Sequence, residues 1–276
     1  MIISASYRTD IPAFFGTWFA EQMRQGYSIV KNPYGGPSFR VLLRAEDIDG
    51  FVFWTKNIGP FLPQLARVHD MGLGFYIQHT INAYPRFLEP NVPPASTVIE
   101  QVAQVTALYG HRSVVWRYDP IVFTSQTPFA FHVENFARLA CQLRGLTDEV
   151  VISFMQSYQK TRRNLAKVAL EHGIAWWDPD FATKQRLIVD LLHRARENGM
   201  RLSVCSQPEC LVLGAFAAQC ADPDRLSHQA GRRVSAPRQP KRKHCGCCQT
   251  RDIGAYHTCR HGCAYCYAVS RHPQTP

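Results

Sequence analysis

Short apolar runs alternate with longer amphipathic stretches from residue 2 to about residue 206, and this alternation constrains the fold more than any other feature. The runs at 2–6, 51–55, 73–79, 114–122, 150–155 and 202–205 have strand length and are rich in Val, Ile and Phe. The stretches at 14–25, 61–70, 96–109, 129–143, 161–171 and 183–198 repeat apolar residues at helical spacing. A helix between successive strands returns the chain to the starting edge, which makes the strands parallel. Five or six such units predict an α/β fold built as a full or partial (β/α) barrel, with a doubly wound open sheet as the alternative. Residues 27–30 and 39–43 flank an Asn-Pro-Tyr-Gly-Gly turn and predict an inserted hairpin.

The ends of the runs are polar. Tyr7, Arg8 and Asp10 follow the first; Thr55, Lys56 and Asn57 close the second. Gln78, His79 and Asn82 end the third, Arg117 and Asp119 the fourth, and Gln156, Ser157 and Tyr158 the fifth. In a parallel barrel these ends converge on one rim, where sites are built. Taken singly, each residue is as readily a helix cap or a structural ion pair. No Gly-x-x-x-x-Gly-Lys-Ser/Thr loop and no Gly-x-Ser-x-Gly elbow occurs, so triphosphate hydrolysis and serine hydrolysis lack support.

With 46% hydrophobic and 19% charged residues, the chain has enough apolar material for a sizeable core, and general disorder is excluded. No apolar run approaches the roughly 18 residues of a membrane span, and no signal-peptide pattern opens the sequence. A soluble, cytoplasmic protein without membrane partners is expected.

The texture changes near residue 206. Residues 1–206 are expected to form the barrel body, and 207–276 a cysteine-rich tail packing on it. Segment 206–230 has little clear period. Of the ten cysteines, six lie between Cys245 and Cys266, which reads as metal binding in a reducing compartment. Segment 225–243 holds seven of the basic side chains and no acidic one, against a net charge of +10 for the chain. Arg232, Arg233, Arg238, Lys241, Arg242 and Lys243 there are read either as a solvated, poorly ordered linker or as a phosphate-binding strip for nucleic acid.

Cys259, Cys263 and Cys266 are spaced Cys-x3-Cys-x2-Cys. Three thiolates on one tight loop can hold three irons of a [4Fe-4S] cube and leave the fourth open to a small chelating molecule, whereas electron carriers close the cube with four. The competitor is zinc, for which the tail also offers His244, Cys245, Cys247, Cys248, His257 and His261. Zinc would make the tail a metal-stabilised nucleic-acid-binding or interaction module without catalysis. With Tyr265 before the last cysteine, the triplet resembles the signature of the radical S-adenosylmethionine (SAM) superfamily.

The resemblance extends along the chain. Ile-Ile-Ser-Ala-Ser-Tyr-Arg-Thr-Asp at the start, Phe-Trp-Thr-Lys-Asn, Trp-Arg-Tyr-Asp-Pro and the final cysteine block resemble the bacterial family known as domain of unknown function 1848. That likeness implies a circularly permuted radical SAM-like barrel with its cysteine loop moved to the C-terminus. Residues 253–258 would supply the strand leading into the loop, beside 2–6. It implies that Cys259, Cys263 and Cys266 ligate a [4Fe-4S] cluster which, fed by an electron donor such as a flavodoxin or ferredoxin, reductively cleaves SAM and generates a 5′-deoxyadenosyl radical acting on an unknown substrate. Lys56, Arg117 and Asp119 would be catalytic. Asn57, Tyr265 and Tyr267 would contact SAM, and Ser6, Arg8 and Asp10 would replace the missing Gly-Gly-Glu segment. Cys205, Cys220, Cys245 and Cys247 also look like part of the family pattern. They would hold a second [4Fe-4S] cluster, a zinc ion that pins the tail, or no metal. Cys210 and Cys248 look like extras, either of which could replace one of the four, and Cys141 is read as core.

Overall fold

The computed structural model describes residues 1–33, 35–240 and 242–269. Lys241, in the basic segment, and residues 270–276 of the tail lie outside the described residues. The first strand is β1 (Ile2–Ala5), followed by α1 (Ile11–Phe14) and α2 (Gly16–Gln25). The hairpin of β2 (Tyr27–Val30) and β3 (Phe39–Leu42) is antiparallel, as expected. Then come β4 (Gly50–Thr55), α3 (Leu62–Asp70), β5 (Gly74–Thr80), α4 (Ala95–Tyr109), β6 (Val114–Ile121), β7 (Phe123–Thr124), α5 (Phe129–Gln142) and β8 (Glu149–Phe154). The chain continues through α6 (Gln159–His172), β9 (Trp176–Trp177), α7 (Phe181–Glu197), β10 (Arg201–Val204), β11 (Phe216–Ala217), α8 (Pro223–Ala230) and β12 (Arg251–Asp252).

Eight strands form one parallel sheet in the order β11-β10-β8-β6-β5-β4-β1-β12. From β1 to β11 each new strand is added on the same side of the last. A doubly wound sheet reverses direction at its first strand, so that alternative fails. Among the described residues no ladder joins β11 to β12, and the hydrogen-bonded sheet is open rather than a closed barrel. The strand beside β1 is Arg251–Asp252, slightly before the expected 253–258.

The period of two in each strand sorts the core into two layers. Ile3, Phe51, Phe53, Ile77, Trp116 and Ile152 face the helices and pack with Phe19, Phe61, Phe136 and Leu191. Ile2, Val52, Tyr76, Val115 and Val151 face the other way and are covered by the tail, through Leu226 of α8 and Cys220, Cys245, Cys247 and Cys248. Gly74 permits that cover, because a β-carbon there would stand 2.6 Å from the β-carbon of Ala230 at the end of α8. The segment read as aperiodic thus holds β11 and α8, and the tail completes both sheet edges and one face of the same unit. Cys141 is exposed, not core: the buried stripe of α5 runs through His132, Asn135, Phe136, Leu139 and Ala140, and Cys141 turns one step past it.

His132 Nε2 donates to the Val122 carbonyl at 3.2 Å, and its Nδ1 accepts from the Tyr118 hydroxyl at 2.9 Å. Burial drives the pKa of His132 down to about 4, and that of buried His79 likewise to about 4. The folded chain therefore binds fewer protons than the unfolded chain between pH 6.5 and 4, and stability is lost as the pH falls through that window. Each histidine is expected to remove about 2 kcal/mol between pH 7.5 and pH 5. Urea unfolding at the two pH values measures the loss, and His132→Gln should remove about half of it.

Candidate cofactor site

A cavity of about 620 Å³ opens at the C-terminal ends of the central strands. Its walls contain every cysteine of both expected sets: Cys259, Cys263 and Cys266 of the triplet, and Cys205, Cys220, Cys245 and Cys247. Ser6, Arg8, Asp10, Lys56, Arg117, Asp119, Tyr265 and Tyr267 line it as well. Asn57 does not: its amide donates to Thr55 Oγ1 at 2.9 Å, in a turn beside the cavity. Cys210 and Cys248 are also absent from the walls.

The triplet loop is held by its own histidine. His261 Nε2 lies 2.8 Å from Asp10 Oδ2, its Nδ1 faces the Asn91 carbonyl, and its ring packs on Phe14. Asp10 also accepts from the Ala13 amide at 2.9 Å, the Thr55 hydroxyl at 2.7 Å and the Lys56 amide at 2.8 Å. It therefore joins α1, the end of β4 and the cysteine loop, and all of these bonds are structural. Gly262 turns the loop toward Cys263 at φ +70°, where a side chain is strained.

Asp252 ties the loop to β1. It accepts from Ser4 Oγ at 3.0 Å, Ser6 Oγ at 2.6 Å, the Tyr7 amide at 3.1 Å and the Gly254 amide at 2.9 Å. Ser6 is thus committed to structure. Arg8 is not fully committed: its guanidinium lies 5.6 Å from the Tyr7 ring and 5.5 Å from the Tyr256 ring. Its buried Nε has no hydrogen-bond acceptor, with the Asp252 carboxylate 3.7 Å away.

Lys56 forms a buried pair with Glu89 at 2.7 Å, and its Nζ lies 3.0 Å from Tyr265 Oη. Tyr265 donates to Glu89, and Asn82 Nδ2 donates to Glu89 at 3.2 Å. Burial alone would lower the pKa of Lys56 and raise that of Glu89; their mutual attraction reverses both. Tyr265 is thereby fixed by its hydroxyl, and Tyr267 donates to the Tyr7 carbonyl at 2.9 Å. Arg117 Nη2 donates to Asp119 at 2.6 Å, and Ser153 donates to the other oxygen of Asp119.

Burial pushes the Cys259 thiol up to about 12 and raises Cys263 and Cys266 as well, so without metal the three stay protonated. A metal must displace those protons, as thiolate sites require. The donor set is soft sulfur, which suits zinc or iron–sulfur. Among the described residues no three His, Cys, Asp or Glu side chains converge to hold a single metal ion. The orphaned Arg8 Nε beside the triplet loop is a donor suited to an anionic ligand group.

The basic segment is not a free linker, although Arg232, Arg233, Arg238, Arg242 and Lys243 are exposed. Gln239 N donates to the Cys247 carbonyl at 3.0 Å and Gln249 N to the Pro237 carbonyl at 2.8 Å, folding the segment onto the Cys-Gly-Cys turn. Arg225 is buried against acidic partners, Arg232 pairs with Asp49, and Arg242 turns into the cavity. Glu89 and Asp252 are the residues that sequence reasoning gave no site role, and Asn82 was read only as a strand end. Asp252 directly precedes the Ile-Gly of the cysteine block, a position that a strand ending beside β1 would have flagged.

These features define an α/β protein whose open parallel sheet carries a cysteine-lined cavity at its strand ends. A family model described as a domain of unknown function (DUF1848) matches residues 2–268, so the chain belongs to that family. No curated protein and no solved structure matches the chain.

Proposed function

We propose that this chain is a radical SAM-type enzyme with a circularly permuted partial-barrel fold, in which Cys259, Cys263 and Cys266 hold a [4Fe-4S] cluster and SAM binds beside it. The observation that carries the reading is the placement of the triplet. It follows β12, a strand parallel to β1, and enters the same cavity as the charged ends of β1, β4 and β6. A barrel permuted to end on its cysteine loop requires that neighbourhood. When bound, the cluster and SAM supply one-electron chemistry that removes a hydrogen atom from an unreactive carbon.

This chain's own residues bind and exclude. Arg8 offers a carboxylate its Nε, which makes no hydrogen bond, and a cationic face. Lys56, kept charged by Glu89, puts a cation next to Cys263 and offsets thiolate charge. Tyr265 and Asn82 seal the wall behind that pair, and Asp119, oriented by Arg117 and Ser153, presents acceptors to a substrate. A one-electron donor such as a flavodoxin or ferredoxin would serve as partner.

With dithionite and SAM, the anaerobic wild-type protein is expected to form 5′-deoxyadenosine. The Cys259/Cys263/Cys266→Ala variant should form none, and Arg8→Ala should raise the SAM concentration needed by about tenfold, near the worth of one charge-assisted bond. Iron-loaded wild type that yields no 5′-deoxyadenosine would sink the reading.

A further inference from the structure

Away from its cysteines, the cavity is walled by the start of α6. This helix is 14 residues long, and no side chain caps its N-terminus. The amides of Gln159, Lys160 and Thr161 precede its first internal bond, which runs from the Arg162 amide to the Tyr158 carbonyl at 2.9 Å. Tyr158 and Thr161, three positions apart, lie on one side of this turn and line the cavity. Thr161 is 1% exposed, and its hydroxyl has no hydrogen-bond partner. A helical threonine commonly bonds back to a carbonyl one turn earlier; this one does not. A buried hydroxyl in that state is destabilising until something supplies a partner.

The charges around the turn are of one sign. It carries Lys160, Arg162 and Arg163 and no acidic residue, although cations at the start of a helix are repelled by its dipole. Arg162 and Arg163 are exposed and absent from the cavity walls, whereas Lys160 acts through its charge on Cys266 and His257 and so stands beside the triplet loop. Arg242 lines the cavity near Tyr158, Tyr267 and Asp119. Asp119 is already held by Arg117 at 2.6 Å and by Ser153. Around the whole wall, Arg8, Lys56, Arg117 and Arg242 face the two carboxylates of Asp10 and Asp119.

We infer that the first turn of α6 is a phosphoryl-binding subsite, where the free amides, the Thr161 hydroxyl and the Arg242 guanidinium hold a phosphate monoester carried by the substrate. Helix-start amides and an arginine fork match the three peripheral oxygens of that group and supply more donors than a carboxylate uses. The subsite is separate from the place that Arg8 offers to SAM. Arg8 follows β1 and α6 follows β8, and β4, β5 and β6 lie between those strands in the sheet. Tyr267 spans the two sides, donating to the Tyr7 carbonyl and setting its ring 6.4 Å from that of Tyr158. That the ester belongs to the substrate rests on the proposed radical SAM activity; the subsite itself does not.

The test is calorimetric titration of anaerobic full-length protein with inorganic phosphate, phenyl phosphate and acetate, without reductant. Both phosphates are expected to bind at one site per chain, and acetate is not. Thr161→Val should weaken both by about tenfold and Arg242→Gln by at least as much, the worth of one bond to a charged group. Arg162→Gln, on the same turn but outside the walls, should change them less than about twofold. Thr161→Val keeps the side-chain shape and removes an unpartnered hydroxyl, so urea unfolding should show no loss of stability. Phosphate should still bind when SAM is saturating. Absence of phosphate binding, equal binding by Thr161→Val, equal affinity for acetate, or displacement of phosphate by SAM overturns the inference. Binding of phosphate without phenyl phosphate would make this a site for the free ion and overturn its assignment to a substrate. No turnover enters the measurement, so its failure is distinct from a failure to form 5′-deoxyadenosine.

Discussion

Arg225→Ala is expected to lower the stability of the protein by about 3–5 kcal/mol, the cost of removing one partner from a buried ion pair. Arg225 is 3% exposed. Its Nη2 donates to Glu149 at 2.9 Å, and its Nη1 donates to Asp148 at 2.8 Å and to the Arg112 carbonyl at 3.0 Å. Glu149 would keep Ser203 at 2.6 Å and the half-exposed Arg201 at 3.1 Å, but it would remain a buried carboxylate with its best cation gone. Arg225 sits on α8, so the loss also loosens the cover on the inner face of the sheet. Urea unfolding of the anaerobic protein reads the effect. Adding Glu149→Gln to the Arg225→Ala background should restore part of the loss, because no uncompensated charge is then buried. A loss under about 1 kcal/mol would place the pair in the class of solvated surface bridges instead.

Asp10→Ala is expected to cost about as much, roughly 3–4 kcal/mol, and also to release the cysteine loop. Four donors from three elements lose their acceptor together, and bonds to a charged group are worth about 1.5–3 kcal/mol each without adding fully. His261 is the only one of the four on the triplet loop, so its release is local. Hydrogen exchange across residues 257–266 should quicken by at least tenfold in the variant, and about four irons per chain should be lost. Asp10→Asn keeps one acceptor oxygen and should fall between. Unchanged exchange in the loop would show that the disposition of the cysteines is set by Asp252 alone.

Much of the fold was legible because strand and helix periods differ so clearly in residues 2–206. What escaped was short. α8 is an eight-residue, mostly polar helix without an apolar stripe long enough to register, yet Asp222 capping before Pro223 and Gly231 closing the end were start and stop signals. β11 and β12 are two residues each and take their identity from neighbours rather than from composition. The site was legible as a set of cysteines and strand ends; the cavity walls contain both expected cysteine sets, but Asn57, Gln78, His79, Asn82 and Ser157 among the strand ends are not in them. Their division of labour was not legible. Asp10 and Ser6 looked like ligand contacts, but their hydrogen bonds go to the loop and to Asp252. Glu89, which holds Lys56, sits in an irregular Pro-rich stretch where no period marks it.

The tail that covers the inner face of the sheet also sets an order in time. Ribosomes build the chain from its N-terminus, so all the strands up to β10 exist before α8 and the cysteine segment emerge. Until then Ile2, Val52, Tyr76, Val115 and Val151 form a bare apolar strip along an unfinished sheet with both edges unpaired. Such a nascent chain is a target for chaperones and for sticking to its own copies. The pairing of β12 with β1 joins residues some 250 positions apart and must come last. Closure of the fold and assembly of the cysteine sites are then one late event, completed by the final quarter of the polypeptide.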